Sequence, residues 1–249
     1  MTQSVSIIVP VLNEQESLIE LIAEIDSVAR SNEWTYETLV VDDGSADQTW
    51  KTLELLSPQY PHLAAARLNR NLGKSIALQT GIDRARYDFV VTIDGDLQDV
   101  PSEIPRLLEK LDEGFDVVSG WKKDRQDSSG KRFVSRVFNA TVSFLTRVSL
   151  HDHNCGLKAY RKQVFESIQL SHGLHRFIPF LAARNGARVG EVIVKHRPRK
   201  HGRSRYGWGR YLEAMIDLFG IMVLRKGRKK VPHDKSTEQI AESFNWQLN

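Results

Sequence analysis

FVVTIDGDLQD, residues 89–99, runs from a β-branched strand straight into two carboxylates separated by one glycine. Five residues of strand character, Phe89 to Ile93, are followed by a polar turn and then by Ile104, Leu107, Leu108 and Leu111, whose spacing predicts a helix with one apolar face. The same order recurs three times upstream. VSIIVPV (5–11) leads through a turn at Pro10 and Asn13 into an amphipathic pattern of Leu18, Leu21, Ile22, Ile25, Val28 and Ala29. Tyr36 to Val41 leads through DDGSADQT into a helix near residues 50–56, and Leu63 to Leu68 leads through NRNLGKS into a helix over 75–85. Four consecutive strand–helix units predict an α/β fold with a mostly parallel central sheet flanked by helices. In such sheets ligands bind beyond the carboxyl ends of the strands, where each of these polar turns lies.

Downstream the pattern loosens. Val117 to Gly120 reads as a strand, WKKDRQDSSGKRF as a charged loop, 134–148 as a helix whose apolar face meets core or a partner, and Val189 to Val194 as a further strand. KHRPRKHGRSRYGWGR is a basic loop, and the polar stretch 231–249 reads as a mobile or partner-dependent tail. The expected division is a catalytic domain over 1–210, an amphipathic helix with a basic end over 211–230, and the tail.

With 249 residues, 41% hydrophobic and 27% charged, the chain has enough apolar content for one substantial core and is not disordered as a whole. The best candidate for a membrane span, Tyr211 to Leu224, is shorter than the ~20 apolar residues a span requires and is broken by Glu213 and Asp217. A single cysteine, Cys155, excludes an internal disulfide framework and a multi-cysteine zinc site. No signal-peptide pattern precedes Val5, so a reducing, cytoplasmic setting is expected.

The net charge of +4 conceals two opposed halves. Residues 1–120 carry 9 Lys+Arg against 21 Asp+Glu, a net of −12, whereas residues 121–249 carry 26 against 10, a net of +16. Solvated helix faces produce such patterns, but an acidic half joined to a basic half also suits a metal site beside a polyanion site.

Asp94 and Asp96 offer paired hard oxygen ligands of the kind that suit Mg²⁺ or Mn²⁺, which can in turn bridge a diphosphate. A bare D-x-D is equally a polar turn, but here Gln98 and Asp99 share the loop and other acidic turns end neighbouring strands. In PVLNE, Glu14 can accept from a base or ribose, and Pro10 can hold backbone against a flat ring; in VVDDGSAD, Asp42 or Asp43 can accept from a base N–H. Helix capping by Asn13 and by 43–45 is the competing account of these turns. Lys74, after Gly73 at a helix start, is either a surface lysine or a cation for sugar or phosphate. His151, His153 and Cys155 could be read as a transition-metal cluster, which hard-oxygen chemistry at Asp94 and Asp96 disfavours. HRFIPFL (175–181) reads as an acceptor lid or a helix start.

VSIIVPVLNE, VVDDGSADQT, NLGKSIALQTGID and TIDGDLQD together resemble the ordered motif series of family 2 glycosyltransferases with a GT-A fold. DHNCGLKAYRKQVF, HRFIPFLAARNG and RPRKHGRSRY resemble the branch containing dolichyl- and polyprenyl-phosphate sugar synthases. The resemblance covers about residues 4–212. It implies a nucleotide-diphosphate sugar donor, with Pro10, Leu12, Glu14, Asp42 and Asp43 around the nucleoside. Lys74, Asp94, Gly95, Gln98 and Val192 complete the donor site, and Arg199 and Arg205 receive the donor diphosphate or product. Asp94, Asp96 and Gln98 would hold Mg²⁺ or Mn²⁺, while Lys122, Arg125, Arg132 and Ser135 would receive an acceptor phosphate. Asp94, Asp96, Arg125 and Arg132 form the implied catalytic set. Leu12 stands where the family often has an aromatic, so uridine and guanosine both stay open; Arg205 replaces the usual Lys.

Family members acting on sugar hydroxyls commonly carry a Glu-Asp pair in the second half, and none occurs here after residue 120. A polyprenyl phosphate is already ionised and needs no base, so inversion by direct displacement is expected, with Asp152 the remaining candidate base or, more simply, part of a turn. YLEAMIDLFGIMVL followed by RKGRKK is a core helix or an interfacial helix with its basic end toward anionic lipid; a membrane acceptor favours peripheral attachment at the cytoplasmic face. Oligomer formation stays open. The competing classes are a glycosyltransferase for a saccharide or small-molecule acceptor, a nucleotidyltransferase, and a basic nucleic-acid-binding protein; the acidic half opposes the last.

Overall fold

The computed structural model describes residues 3–123, 139–171, 173–198, 200 and 239–246. The chain opens with β1 (Ser4–Val11), α1 (Leu18–Ser31), β2 (Thr35–Asp42), α2 (Thr49–Leu56), β3 (Leu63–Leu68), α3 (Lys74–Arg84) and β4 (Phe89–Thr92). A 3₁₀ turn at Pro101–Glu103 then leads into α4 (Ile104–Asp112) and β5 (Val117–Trp121). A helical stretch over 139–146, here α5, precedes β6 (Lys158–Arg161), a 3₁₀ turn at Leu174–Phe177, α6 (Ile178–Arg184), β7 (Val189–Ile193) and β8 (Ile240–Phe244). All four strand–helix units read from the sequence are present, with ends shifted by one or two residues.

The strands form one sheet in the order β7-β5-β6-β4-β1-β2-β3-β8. β1 pairs in parallel with both β2 and β4, so the connections diverge on either side of it and leave a crevice between the ends of β1 and β4. β1 is buried almost throughout because both faces are covered: Ile7 packs into the layer with Leu21, Ile25, Leu53 and Leu107 from α1, α2 and α4. Its neighbour Ile8 points the other way, to Leu78 and Ile82 of α3, Val142 of α5 and Phe177 and Ile178 near α6. Gly81 lets α3 approach this closely, since a Cβ there would lie 2.5 Å from Ile8 Cγ2.

Two features depart from the sequence reading. β6 is absent from it: four residues following Gly156 run antiparallel between β4 and β5, pairing Val91 with Ala159 and Val118 with Ala159. The strand is short and carries Lys158 and Arg161 at its ends, so it lacks the apolar run that marks β1 or β4. The polar tail also needs correction for 240–244. Far from standing apart, Ile240–Phe244 pairs antiparallel with β3 at the sheet edge, matching Ala66 with Ser243 and placing Phe244 5.5 Å from Trp50. Its pattern, three exposed central residues between half-buried ends, is that of an edge strand, which short polar sequence can form. The expected interfacial helix at 211–230 lies outside the described residues. Among the described residues, no helix is long and apolar enough to cross a membrane.

Phe244→Ala tests the docking of β8. It removes a ring half-buried against Trp50 and should lower stability by about 1–2 kcal/mol in urea unfolding, less than a fully buried phenylalanine. An unchanged midpoint would show that β8 does not hold to β3 in solution.

Candidate active site at the carboxyl ends of β1, β2 and β4

The turns after β1 and β2 hold one another. Asn13, at φ 54°, donates its N–H to Ser45 Oγ at 2.8 Å and accepts from the Ala46 N–H at 2.7 Å, while the Glu14 N–H donates to Thr49 Oγ1 at 2.9 Å. Asn13 is therefore engaged in the loop–loop clamp while also bordering the crevice, whose wall it shares with Pro10, Leu12 and Glu14. The turn after β4 joins this clamp through Ser17, whose hydroxyl donates to Gly95 O at 2.7 Å. A cleft of about 390 Å³ lies between these turns, bordered by Pro10, Leu12, Glu14, Asp43, Lys74, Asp94, Gly95 and Asp96.

Asp42 and Asp43, indistinguishable in the sequence, separate in the fold. Asp42 is fully buried, accepts from the Ser45 N–H at 2.8 Å and lies 3.5 Å from Arg67 Nε; burial pushes its carboxyl above the usual range. It does not border the cleft. Asp43 does, and it accepts from the N–H groups of Leu72 at 2.7 Å and Gly73 at 2.9 Å, fixing the turn that opens α3. Gly73 takes φ 94°, a conformation that favours glycine, and so delivers Lys74 as the first residue of α3.

Lys74 pairs directly with Asp94. On the other side of that carboxylate lies Gly156, where a Cβ would stand 2.4 Å from Asp94 Cγ. Thr92 fixes this glycine by donating to its carbonyl at 2.9 Å. Burial alone would raise the Asp94 carboxyl, but the charges of Lys74, Lys122 and Lys158 outweigh it and hold the group at about 2. Asp94 is thus ionised and seated. It and Asp96 present oxygen donors at the cleft, a set that fits a hard divalent cation whose remaining positions come from phosphate and water.

Several expected site residues sit elsewhere. Gln98 does not border the cleft; its Nε2 lies 3.5 Å from Arg197 O, and its own carbonyl accepts from the Arg197 N–H at 2.9 Å. Gln98 is therefore aligned with the start of the basic loop, which is drawn to the loop after β4 by this bond and by the bridge between Asp99 and His196. Val192 lies on β7 opposite Gly120 and packs against the core, away from the cleft. Lys122 is no exposed phosphate anchor: it is buried and ion-paired with the fully buried Asp99 at 2.6 Å, and Asp99 raises its pKa against the effect of burial. Arg125, Arg132, Ser135, Arg199 and Arg205 lie outside the described residues.

The cleft also contains groups outside the expected set of site residues. Lys158 and Tyr160, alternate residues of β6, face it together with Asn154, Gly156, His175 and Arg176. Lys158 is buried and donates to Cys155 O; desolvation lowers its pKa. The signal was the alternation in LKAY, obscured because the strand itself was unrecognised. His175 is tied to α3 by Ser75, whose Oγ lies 2.8 Å from Nδ1 and accepts the His175 N–H at 3.2 Å. The stretch 174–181 is a 3₁₀ turn leading into α6, a helix start.

The transition-metal reading does not hold. His151 lies 2.8 Å from Glu191 and stacks on Trp121 at 3.9 Å, whereas His153 is buried beside Ser143 at 3.0 Å and is pushed down to about 4 by burial and Lys158. Burial pushes the Cys155 thiol up to about 12, so it is neither thiolate ligand nor nucleophile at neutral pH. Asp152 is buried, caps the Asn154 N–H at 3.1 Å and does not border the cleft.

Comparison with known proteins agrees with this architecture. The profile of Glycosyl transferase family 2 matches residues 6–169. The chain belongs to glycosyl transferase family 2. Among similar family 2 proteins, the undecaprenyl-phosphate 4-deoxy-4-formamido-L-arabinose transferase of Edwardsiella ictaluri is 41% identical over 217 residues, covering 87% of this chain and 67% of that protein. The protein of the same name from Pseudomonas fluorescens is 39% identical over 219 residues, covering 88% and 64%. The chain thus spans about two thirds of the length of these curated relatives. Glucosyl-3-phosphoglycerate synthase from Mycobacterium tuberculosis, solved with Mn²⁺, UDP-glucose and phosphoglyceric acid, superposes with a TM-score of 0.67 at 18% identity, over 88% of this chain and 79% of that one. The fold is GT-A.

The Lys122–Asp99 pair yields a stability test. Lys122→Met leaves Asp99 charged and buried, and should cost about 3–5 kcal/mol in chemical denaturation. Lys122→Met combined with Asp99→Leu should recover most of that loss. A single-variant cost below about 1 kcal/mol would contradict a buried, mutually dependent pair.

Proposed function

We propose that the chain transfers a sugar from a nucleoside-diphosphate donor to a polyprenyl phosphate, with inversion at the anomeric carbon. The observation that carries this reading is the division of charge inside the cleft. Among the described residues, every carboxylate bordering it, Glu14, Asp43, Asp94 and Asp96, comes from the first half of the chain, and the ionisable groups contributed by the second half are His, Cys, Lys, Tyr and Arg. A hydroxyl acceptor entering from the second half would meet no carboxylate base among the described residues, whereas an ionised phosphate needs none. The names of the 41% and 39% identical relatives, which specify undecaprenyl phosphate, support the same acceptor class.

On this reading Pro10, Leu12 and Glu14 border the nucleoside, with Asp43 shaping the turn beside it. Asp94 and Asp96 hold Mg²⁺ or Mn²⁺, and Gly156 keeps space for the Asp94 carboxylate. The bound cation supplies charge neutralisation for the departing nucleoside diphosphate. Lys74, and Arg199 and Arg205 by resemblance, steady the same diphosphate; Arg125, Arg132 and Ser135 receive the acceptor phosphate. The catalytic domain is 1–210 completed by β8, and 211–230 attaches the protein peripherally to the cytoplasmic face of a membrane. Nucleic acid has no part in this function.

The test is transfer from radiolabelled UDP- and GDP-sugars to undecaprenyl phosphate in detergent, with Mn²⁺ or Mg²⁺. The expected result is a lipid-linked product of inverted anomeric configuration by NMR and release of a nucleoside diphosphate. Asp94→Asn should lower kcat by about 10²–10³-fold, and Gly156→Ala should approach that loss by displacing the carboxylate. Transfer to a soluble hydroxyl acceptor with polyprenyl phosphate ignored, or release of pyrophosphate, would contradict the assignment.

A further inference from the structure

We propose that Lys74 competes with the divalent cation for Asp94 and transfers to the donor diphosphate when the donor binds, so that metal and donor bind as a coupled pair. The inference rests on the metal reading of Asp94 and deepens it.

The geometry assigns different freedoms to the two partners. Asp94 is confined: Gly156 faces its carboxyl group with no Cβ, and Thr92 anchors that glycine from the strand beneath at 2.9 Å. Lys74 follows a turn held by Asp43, which accepts from the N–H groups of Leu72 and Gly73 at 2.7 and 2.9 Å. Its side chain is a flexible four-carbon stem carrying a point charge and pairs with Asp94 in the cleft. An ammonium and a divalent cation cannot both sit against one carboxylate oxygen without strong repulsion. Lys158, buried in the cleft lining, is engaged with Cys155 O and offers the cation no anionic ligand.

A divalent cation arriving alone must therefore displace Lys74 into a cleft that already contains Lys158 and Arg176. A nucleoside diphosphate changes this balance. Its oxygens provide new ligands for the cation and a new anionic partner for Lys74, so one binding event removes the competitor and strengthens the site. Asp94 stays in place while Lys74 changes partner.

Mn²⁺ binding, followed by loss of the free-ion electron paramagnetic resonance signal, tests this directly. Measurements on wild type, Lys74→Gln, Lys74→Arg and Asp94→Asn would be made without nucleotide and with UDP or GDP, after matching thermal midpoints confirm folding. Lys74→Gln should bind Mn²⁺ at least tenfold more tightly than wild type without nucleotide, and Lys74→Arg should stay near wild type. The more effective nucleotide should tighten Mn²⁺ binding by a larger factor in wild type than in Lys74→Gln. Unchanged or weaker binding by Lys74→Gln, or equal tightening factors, would overturn the exchange while loss of binding in Asp94→Asn leaves the metal assignment standing. Mn²⁺ binding by Asp94→Asn equal to wild type would overturn the metal assignment and the exchange with it.

Discussion

The seating of the Asp94 carboxylate between Gly156 and Lys74 is the contact on which the site is organised. It requires three separate parts of the chain to meet at one point. β4 must end at Thr92, β6 must pass antiparallel beside it to bring Gly156 and Lys158 into place, and α3 must start at Lys74. The β1/β4 crevice supplies the location, because the sheet order changes direction there and leaves the strand ends uncovered by connecting loops.

The opposed charges of the two halves find their explanation in this arrangement. The acidic half contributes the strand ends, where Glu14, Asp43, Asp94 and Asp96 gather, and the basic half contributes β6, the 3₁₀ turn after it and the start of the basic loop. So many like charges could not remain close in the absence of compensation. Lys122 reaches Asp99 beneath the loop after β4, Arg197 reaches Glu24 at 2.7 Å, and Lys200 reaches Glu20 at 2.5 Å. The pairs of Arg197 and Lys200 draw the basic segment after β7 toward the acidic face of the first half. The pair at Lys122 also shows why a charge count cannot identify a ligand-binding lysine: the same side chain that reads as a phosphate anchor is committed to a buried carboxylate.

The first four strand–helix units were legible because buried parallel strands are continuous apolar runs and their helices carry one apolar face, patterns that local sequence states directly. The strand-end carboxylates were legible for the same reason, since a polar residue directly after such a run lies at the rim of the sheet. Antiparallel β6 and β8 are harder to read: each is short and carries charged residues within or at the ends of its apolar positions, and each is placed by partners far away in sequence, β4 and β5 in one case and β3 in the other. The roles of Lys158 and Gly156 followed β6 into obscurity. Asp42 against Asp43 is a finer case. Adjacent residues at a strand end point to opposite sides, and only the position of Arg67 and of the 71–73 turn determines which carboxylate faces the cleft. Gln98 and Val192 were assigned by resemblance, and the local backbone turns both elsewhere.

In the proposed exchange Asp94 is the fixed anion of the site and Lys74 its movable partner. The measurement that tests it most directly is the crystal structure of this protein bound to Mn²⁺ and the nucleoside diphosphate that it accepts. The expected structure has the cation on Asp94 and Asp96, Asp94 still against Gly156, and the Lys74 ammonium moved to a diphosphate oxygen. A cation held by other residues, with Lys74 still paired to Asp94, would contradict it.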